Sequence, residues 1–114
     1  MVIEKEKIAA IDFGGLRIFD YTAGRKEKSS FAVINVPVNV SHQLSWSKRS
    51  DKYYYVLEGR IDFWINDEKH TLKKGDFCII RKGEKFKYAN PFSEDASVIL
   101  FHTPSFVLEK EVFV

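Results

Sequence analysis

Polar and apolar residues alternate in short runs along most of this chain, and turn-forming residues separate the runs. Leu16 to Tyr21 reads as a strand and Gly24 to Ser30 as a polar loop. Phe31 to Val40 is a β-branched run that Pro37 should bend or interrupt, because proline cannot donate to a sheet ladder. His42 to Lys48 alternates, and Lys52 to Leu57 and Ile61 to Ile65 flank Glu58-Gly59-Arg60. Asn66-Asp67-Glu68, Lys74-Gly75-Asp76 and Arg81-Lys82-Gly83-Glu84 supply further turns, with strands predicted over Phe77–Ile80, Phe86–Asn90 and Ser97–Thr103. Turn signals recurring every ~8–12 residues mark a sandwich or barrel. No segment holds a helical period over three turns, so the expected fold is all-β.

A chain of 114 residues makes one domain, taken as 1–114, and is long enough to bury a core without disulfides. Aromatic residues reach 15%, with ten Phe, which favours strands over a helical bundle. Eighteen Lys and Arg against sixteen Asp and Glu leave +2, too balanced for a dedicated nucleic-acid binder. Basic residues gather between Lys69 and Lys87, where they suit a solvated edge that resists strand-to-strand aggregation. The single cysteine, Cys78, points to a reducing compartment. Met1 to Lys7 lacks the basic-then-apolar pattern of a secretory signal, and Val98 to Phe101 is far shorter than the ~18 residues of a membrane span. The expectation is a soluble cytoplasmic protein with neither nucleic-acid nor membrane partners.

Two segments carry a family resemblance: Ser50-Asp51-Lys52-Tyr53-Tyr54-Tyr55-Val56-Leu57-Glu58-Gly59, and Leu72-Lys73-Lys74-Gly75-Asp76-Phe77-Cys78-Ile79-Ile80. They resemble the end of the first and the start of the second cupin motif, and the resemblance runs from about Phe31 to Thr103. It implies a jelly-roll barrel, the double-stranded β-helix. Cupin enzymes usually hold a metal with two His and a Glu from motif one and a His from motif two. With motif one anchored on Gly59, the Glu position falls on Lys52. The two His positions fall on Trp46 and Lys48 with the shorter spacing, or on Ser45 and Ser47 with the longer. Motif two, anchored on Gly75 and Gly83, puts its His at Phe86 and its closing Asn at Asn90. A lysine ammonium, Phe and Trp offer no lone pair to a metal, so neither metal nor other cofactor is expected.

Alternation assigns the barrel interior to His42, Leu44, Trp46 and Lys48, then Lys52, Tyr54 and Val56, then Phe86, Tyr88 and Asn90. The candidate ligand-binding set is therefore His42, Trp46, Lys48, Lys52, Tyr54, Phe86, Tyr88 and Asn90. An apolar cavity with a few placed polar groups suits a small molecule; the same aromatics also serve as plain core. The two lysines either snorkel to the mouth, pair with an acid such as Asp62, or bind an anion. His102 either lines the pocket or caps its strand, while His70 and Cys78 read as surface and core residues.

Three functions remain open at this point: a metal-free binder of a small polar or anionic ligand, a metal-independent isomerase or epimerase acting on a sugar derivative, and a vestigial barrel with a structural role. In the second, His42 is the base and Tyr54 or Tyr88 the acid, which requires them within reach of one substrate. A homodimer is expected, with Tyr53, Tyr55 and Leu57 facing outward and the apolar C-terminal segments covering a neighbouring subunit.

Overall fold

A computed structural model describes all 114 residues. Its strands are β1 (Ile11–Phe13), β2 (Leu16–Asp20), β3 (Ser30–Val36), β4 (Ser41–Ser47), β5 (Asp51–Glu58), β6 (Arg60–Ile65), β7 (Glu68–Lys73), β8 (Phe77–Ile80), β9 (Phe86–Ala89), β10 (Ala96–Thr103) and β11 (Glu111–Phe113). They form two antiparallel sheets, ordered β1-β2-β3-β10-β5-β8 and β11-β4-β9-β6-β7. The all-β expectation holds. β1, β7 and β11 lie where no strand was predicted, and β1 and β11 are three-residue edge strands too short to show a period.

Three strands of the first sheet alternate regularly. Ser30, Ala32, Ile34 and Val36 of β3 face inward, as do Lys52, Tyr54 and Val56 of β5 and Ala96, Val98, Leu100 and His102 of β10. β3 stops at Val36, immediately before Pro37, which cannot donate the next ladder bond. Asn66 and Asp67 both take positive φ, 50° and 68°, in the two-residue turn joining β6 to β7. Gly59 takes φ +74° between β5 and β6, where a Cβ would stand 2.7 Å from the Asp95 carbonyl oxygen, so only glycine fits.

The register makes the two ends of the barrel different. Val56 opposite Val98, and Val36 opposite Ala96, pack with Ile61 to fill one end. At the other, Tyr54 opposite Leu100 and Lys52 opposite His102 border a cavity of about 320 Å³. On the outer face of the first sheet, Tyr55, Phe77 and Phe101 remain exposed, and Tyr53 and Leu57 are partly so. No helix is long and apolar enough to cross a membrane.

Candidate functional site

The cavity draws on every layer around the open end. His42 and Ser45 come from β4, Lys52 and Tyr54 from β5, Phe86 and Tyr88 from β9, and Leu100 and His102 from β10. Ile11, Phe13 and Ile18 wall it from β1 and β2, while Phe106, Leu108, Glu111 and Phe113 come from the C-terminal segment. Of the eight residues in the sequence-derived set, five (His42, Lys52, Tyr54, Phe86 and Tyr88) line the cavity, and Trp46, Lys48 and Asn90 do not.

Trp46 and Lys48 are corrections with one cause. His42 pairs with Tyr88 and Ser45 with Phe86, so three steps along β4 match two along β9. The extra residue is a β-bulge, and it reverses the facing of everything after it. Ser45 and Ser47 therefore turn inward, Lys48 is exposed and Trp46 is half-buried beside Val112 of β11. Asn90 is buried for another reason. Its side-chain amide donates to the carbonyls of Val36 (2.9 Å) and Glu94 (2.8 Å) and its oxygen accepts from the Phe92 N–H, so it ties turns together.

The bulge also prepares His42. The Gln43 carbonyl accepts at 2.7 Å from His42 Nδ1 and at 3.0 Å from the Ser45 hydroxyl. A carbonyl only accepts, so the proton sits on Nδ1 and the Nε2 lone pair has no protein partner. The ring stacks on Tyr88 (centroids 5.0 Å apart) and on Phe86 (5.2 Å). Burial among these rings lowers its pKa to about 4, opposed by the Gln43 bond and assisted by Lys52. Tyr54 lies edge-on to Tyr88 at 5.5 Å, and burial raises both phenols well above their usual range. The Tyr88 hydroxyl is fully buried with no hydrogen-bond partner. Such a group costs about 1–3 kcal/mol unless something meets it.

Lys52, 4% exposed, pairs neither with solvent nor with Asp62. Asp62 accepts instead from the Thr71 hydroxyl (2.6 Å) and faces Lys69 (3.6 Å). Lys52 Nζ lies 2.6 Å from Glu111 Oε1 and 2.8 Å from His102 Nε2. The other Glu111 oxygen accepts from the Ser47 hydroxyl at 2.5 Å. Beside an ammonium, His102 Nε2 is the acceptor, and burial followed by the Lys52 charge lowers its pKa to about 3. Burial also lowers the Lys52 pKa, with Glu111 opposing. Two of the three ammonium protons are thus engaged, and the nitrogen itself lies 5.6 and 5.9 Å from the ring centroids of Phe86 and Phe106.

Glu111 escaped the sequence reading, although its place in an apolar terminal segment, two residues before Phe113, was a usable signal. Within this segment, β11 pairs with β4 of its own chain. Cys78 packs against the core with its thiol pushed up to about 12 by burial, and His70 is exposed beside Glu68, away from the cavity.

A family model for the cupin domain matches residues 32–102. The chain belongs to the cupin family. An uncharacterized protein of Aquifex aeolicus is 29% identical to this cupin over 92 residues, covering 73% of it and 75% of the relative. Among solved structures, Pac13, a nucleoside dehydratase, superposes with a TM-score of 0.87 at 19% identity, covering all of this cupin and 90% of that chain. Variants of this Streptomyces protein, one with a His→Gln and two with single Tyr→Phe replacements, were solved with uridine. KdgF from Halomonas sp. gives 0.79 at 15% identity, covering 91% and 93% of the two chains. At these identities the structural likeness establishes the fold.

With the bulge in place, the longer of the two motif spacings is the one whose positions face inward. The family's metal positions in this cupin are then Ser45, Ser47, Lys52 and Phe86, all buried. Two hydroxyls, an ammonium and a phenyl ring do not fit a metal ion. Nowhere does the chain gather three His, Cys, Asp or Glu able to hold one.

Proposed function

We propose that this cupin is a metal-independent acid–base enzyme acting on a small, uncharged, ring-bearing polar molecule of the nucleoside or sugar-derivative class. The carrying observation is the pairing of a neutral His42, its Nε2 free, with the unpartnered Tyr88 hydroxyl in a cavity otherwise walled by apolar rings. A base and an acid in ring contact meet the requirement that both reach one substrate. In a dehydration, His42 Nε2 takes a carbon-bound proton and the electron pair forms a double bond. The departing hydroxyl takes a proton from Tyr88 or Tyr54 and leaves as water, and the proton held on His42 restores the phenol. Returning the proton to a neighbouring carbon instead gives isomerisation.

The ligand class follows from size and charge. A cavity of about 320 Å³ suits a compact metabolite. Its charged lining is one lysine against two carboxylates, Glu111 and Asp20, with both histidines neutral, which disfavours an anion. This favours an uncharged ligand over the anionic one that a free lysine suggested. The uridine-bound neighbours, altered at a histidine and at tyrosines, support the nucleoside class through the same residue types.

Titration calorimetry with uridine tests the reading. Wild type binds in the micromolar to millimolar range, and Tyr88→Phe and His42→Gln each weaken binding or abolish turnover while the fold, read by circular dichroism, persists. Absence of binding by uridine and by a panel of uncharged nucleosides and sugars sinks the proposal.

A further inference from the structure

We propose that Glu111 sets the ligand class of this pocket: by neutralising Lys52 it leaves one ammonium N–H for an uncharged oxygen, a carbonyl or hydroxyl, and excludes carboxylates and phosphates. The inference rests on the reading of the cavity as a ligand site and concerns its chemistry.

The geometry carries the argument. Lys52 occupies the position where the family places its metal-binding glutamate, and its ammonium borders the cavity. A buried cation of this kind is ordinarily an oxyanion site. Here the countercharge is built in. Glu111 sits 2.6 Å away, itself only 4% exposed at the side chain, and the Ser47 hydroxyl holds its second oxygen. A carboxylate so fixed cannot swing aside for a competing anion without leaving its own buried charge unpaired. His102 takes a second ammonium proton and packs against Phe106 at 5.2 Å, so the remaining N–H is the only donor Lys52 has to offer. It serves a neutral oxygen, and it strengthens as negative charge develops there during proton abstraction by His42. His42 and Lys52 flank the same Phe86 ring, which places base and donor around one substrate.

Both oxygens of Glu111 are spoken for, so removing its charge while keeping its shape isolates the effect. In Glu111→Gln the pocket holds an unopposed ammonium and becomes an anion site. Inorganic phosphate at constant ionic strength is the probe, read by thermal shift and calorimetry. The expected result is that wild type does not respond, whereas E111Q is stabilised by several degrees and binds phosphate about tenfold tighter or more. The double variant Lys52→Met/Glu111→Gln, which lacks both charges, keeps the fold and shows no response. Phosphate binding by wild type comparable to that of E111Q overturns the proposal. So does an E111Q protein that gains nothing from phosphate, including one that stays unfolded in its presence. Uridine binding reads the proposed function and phosphate binding reads this one, so the two fail separately.

Discussion

Histidines held neutral by burial are the residues whose chemistry is most open to titration. His42, at about 4, and His102, at about 3, both lie below the ordinary value of 6.5. Unfolding restores the higher value, so the unfolded chain binds more protons at acidic pH. Stability is therefore complete above pH ~6.5 and falls as the pH drops towards 4 and then 3. Together the two account for a loss of ~3 kcal/mol or more. Urea titrations at pH 7, 5 and 4 measure this, and His102→Gln makes the dependence shallower. By the same shift, His42 remains a competent base down to about pH 4. The acid limb of any rate profile should therefore fall near 4; a limb at 6.5 would show that the acting base is not desolvated as His42 is in this cavity.

At the scale of elements, the bulge in β4 decides which side chains meet the ligand. It turns the Gln43 carbonyl towards His42 and Ser45, and it sends Trp46 and Lys48 outward. Deleting Leu44 removes the extra residue and restores plain alternation, which keeps His42 opposite Tyr88 but takes away the Gln43 carbonyl that holds its ring in place. The expected outcome is a folded protein, by circular dichroism, that has lost uridine binding. Lys48→Ala, on the exposed face, leaves affinity within about twofold, since surface changes away from special features cost little. A large loss in Lys48→Ala would return that lysine to the pocket.

The whole molecule is closed by its C-terminal segment. β11 adds to the second sheet through three residue pairs, Glu111–Ser47, Val112–Trp46 and Phe113–Ser45, and brings in the Lys52 counter-ion. Truncation after Ser105 strands a buried ammonium, at a cost of about 3–5 kcal/mol, and also removes the wall formed by Phe106, Leu108 and Phe113. Combining the truncation with Lys52→Met recovers part of that loss, because the two changes share one interaction. Urea midpoints of the wild type, the two single changes and the combination form the cycle. Strict additivity would show that Glu111 does not stabilise Lys52.

Local physics determined much of this cupin in advance. Alternation over β3, β5, β9 and β10 is regular, so the inward facing of Lys52, Tyr54, Phe86 and Tyr88 was legible, as were the breaks at Pro37 and Gly59. A period of two carries no mark of an inserted residue, and that is why Trp46 and Lys48 were placed inside. Asn90 looked like a ligand contact because its partners, Val36 and Glu94, become neighbours only when separate turns converge. His102 and Glu111 reach Lys52 through pairings between strands distant in sequence, β10 with β5 and β11 with β4. Residue pattern alone was enough for eight of the eleven strands, the facing of β3, β5, β9 and β10, and an inward-pointing Lys52. Only the tertiary structure decided what neutralises that lysine, because a counter-charge is defined by distance in space and no short-range pattern records it.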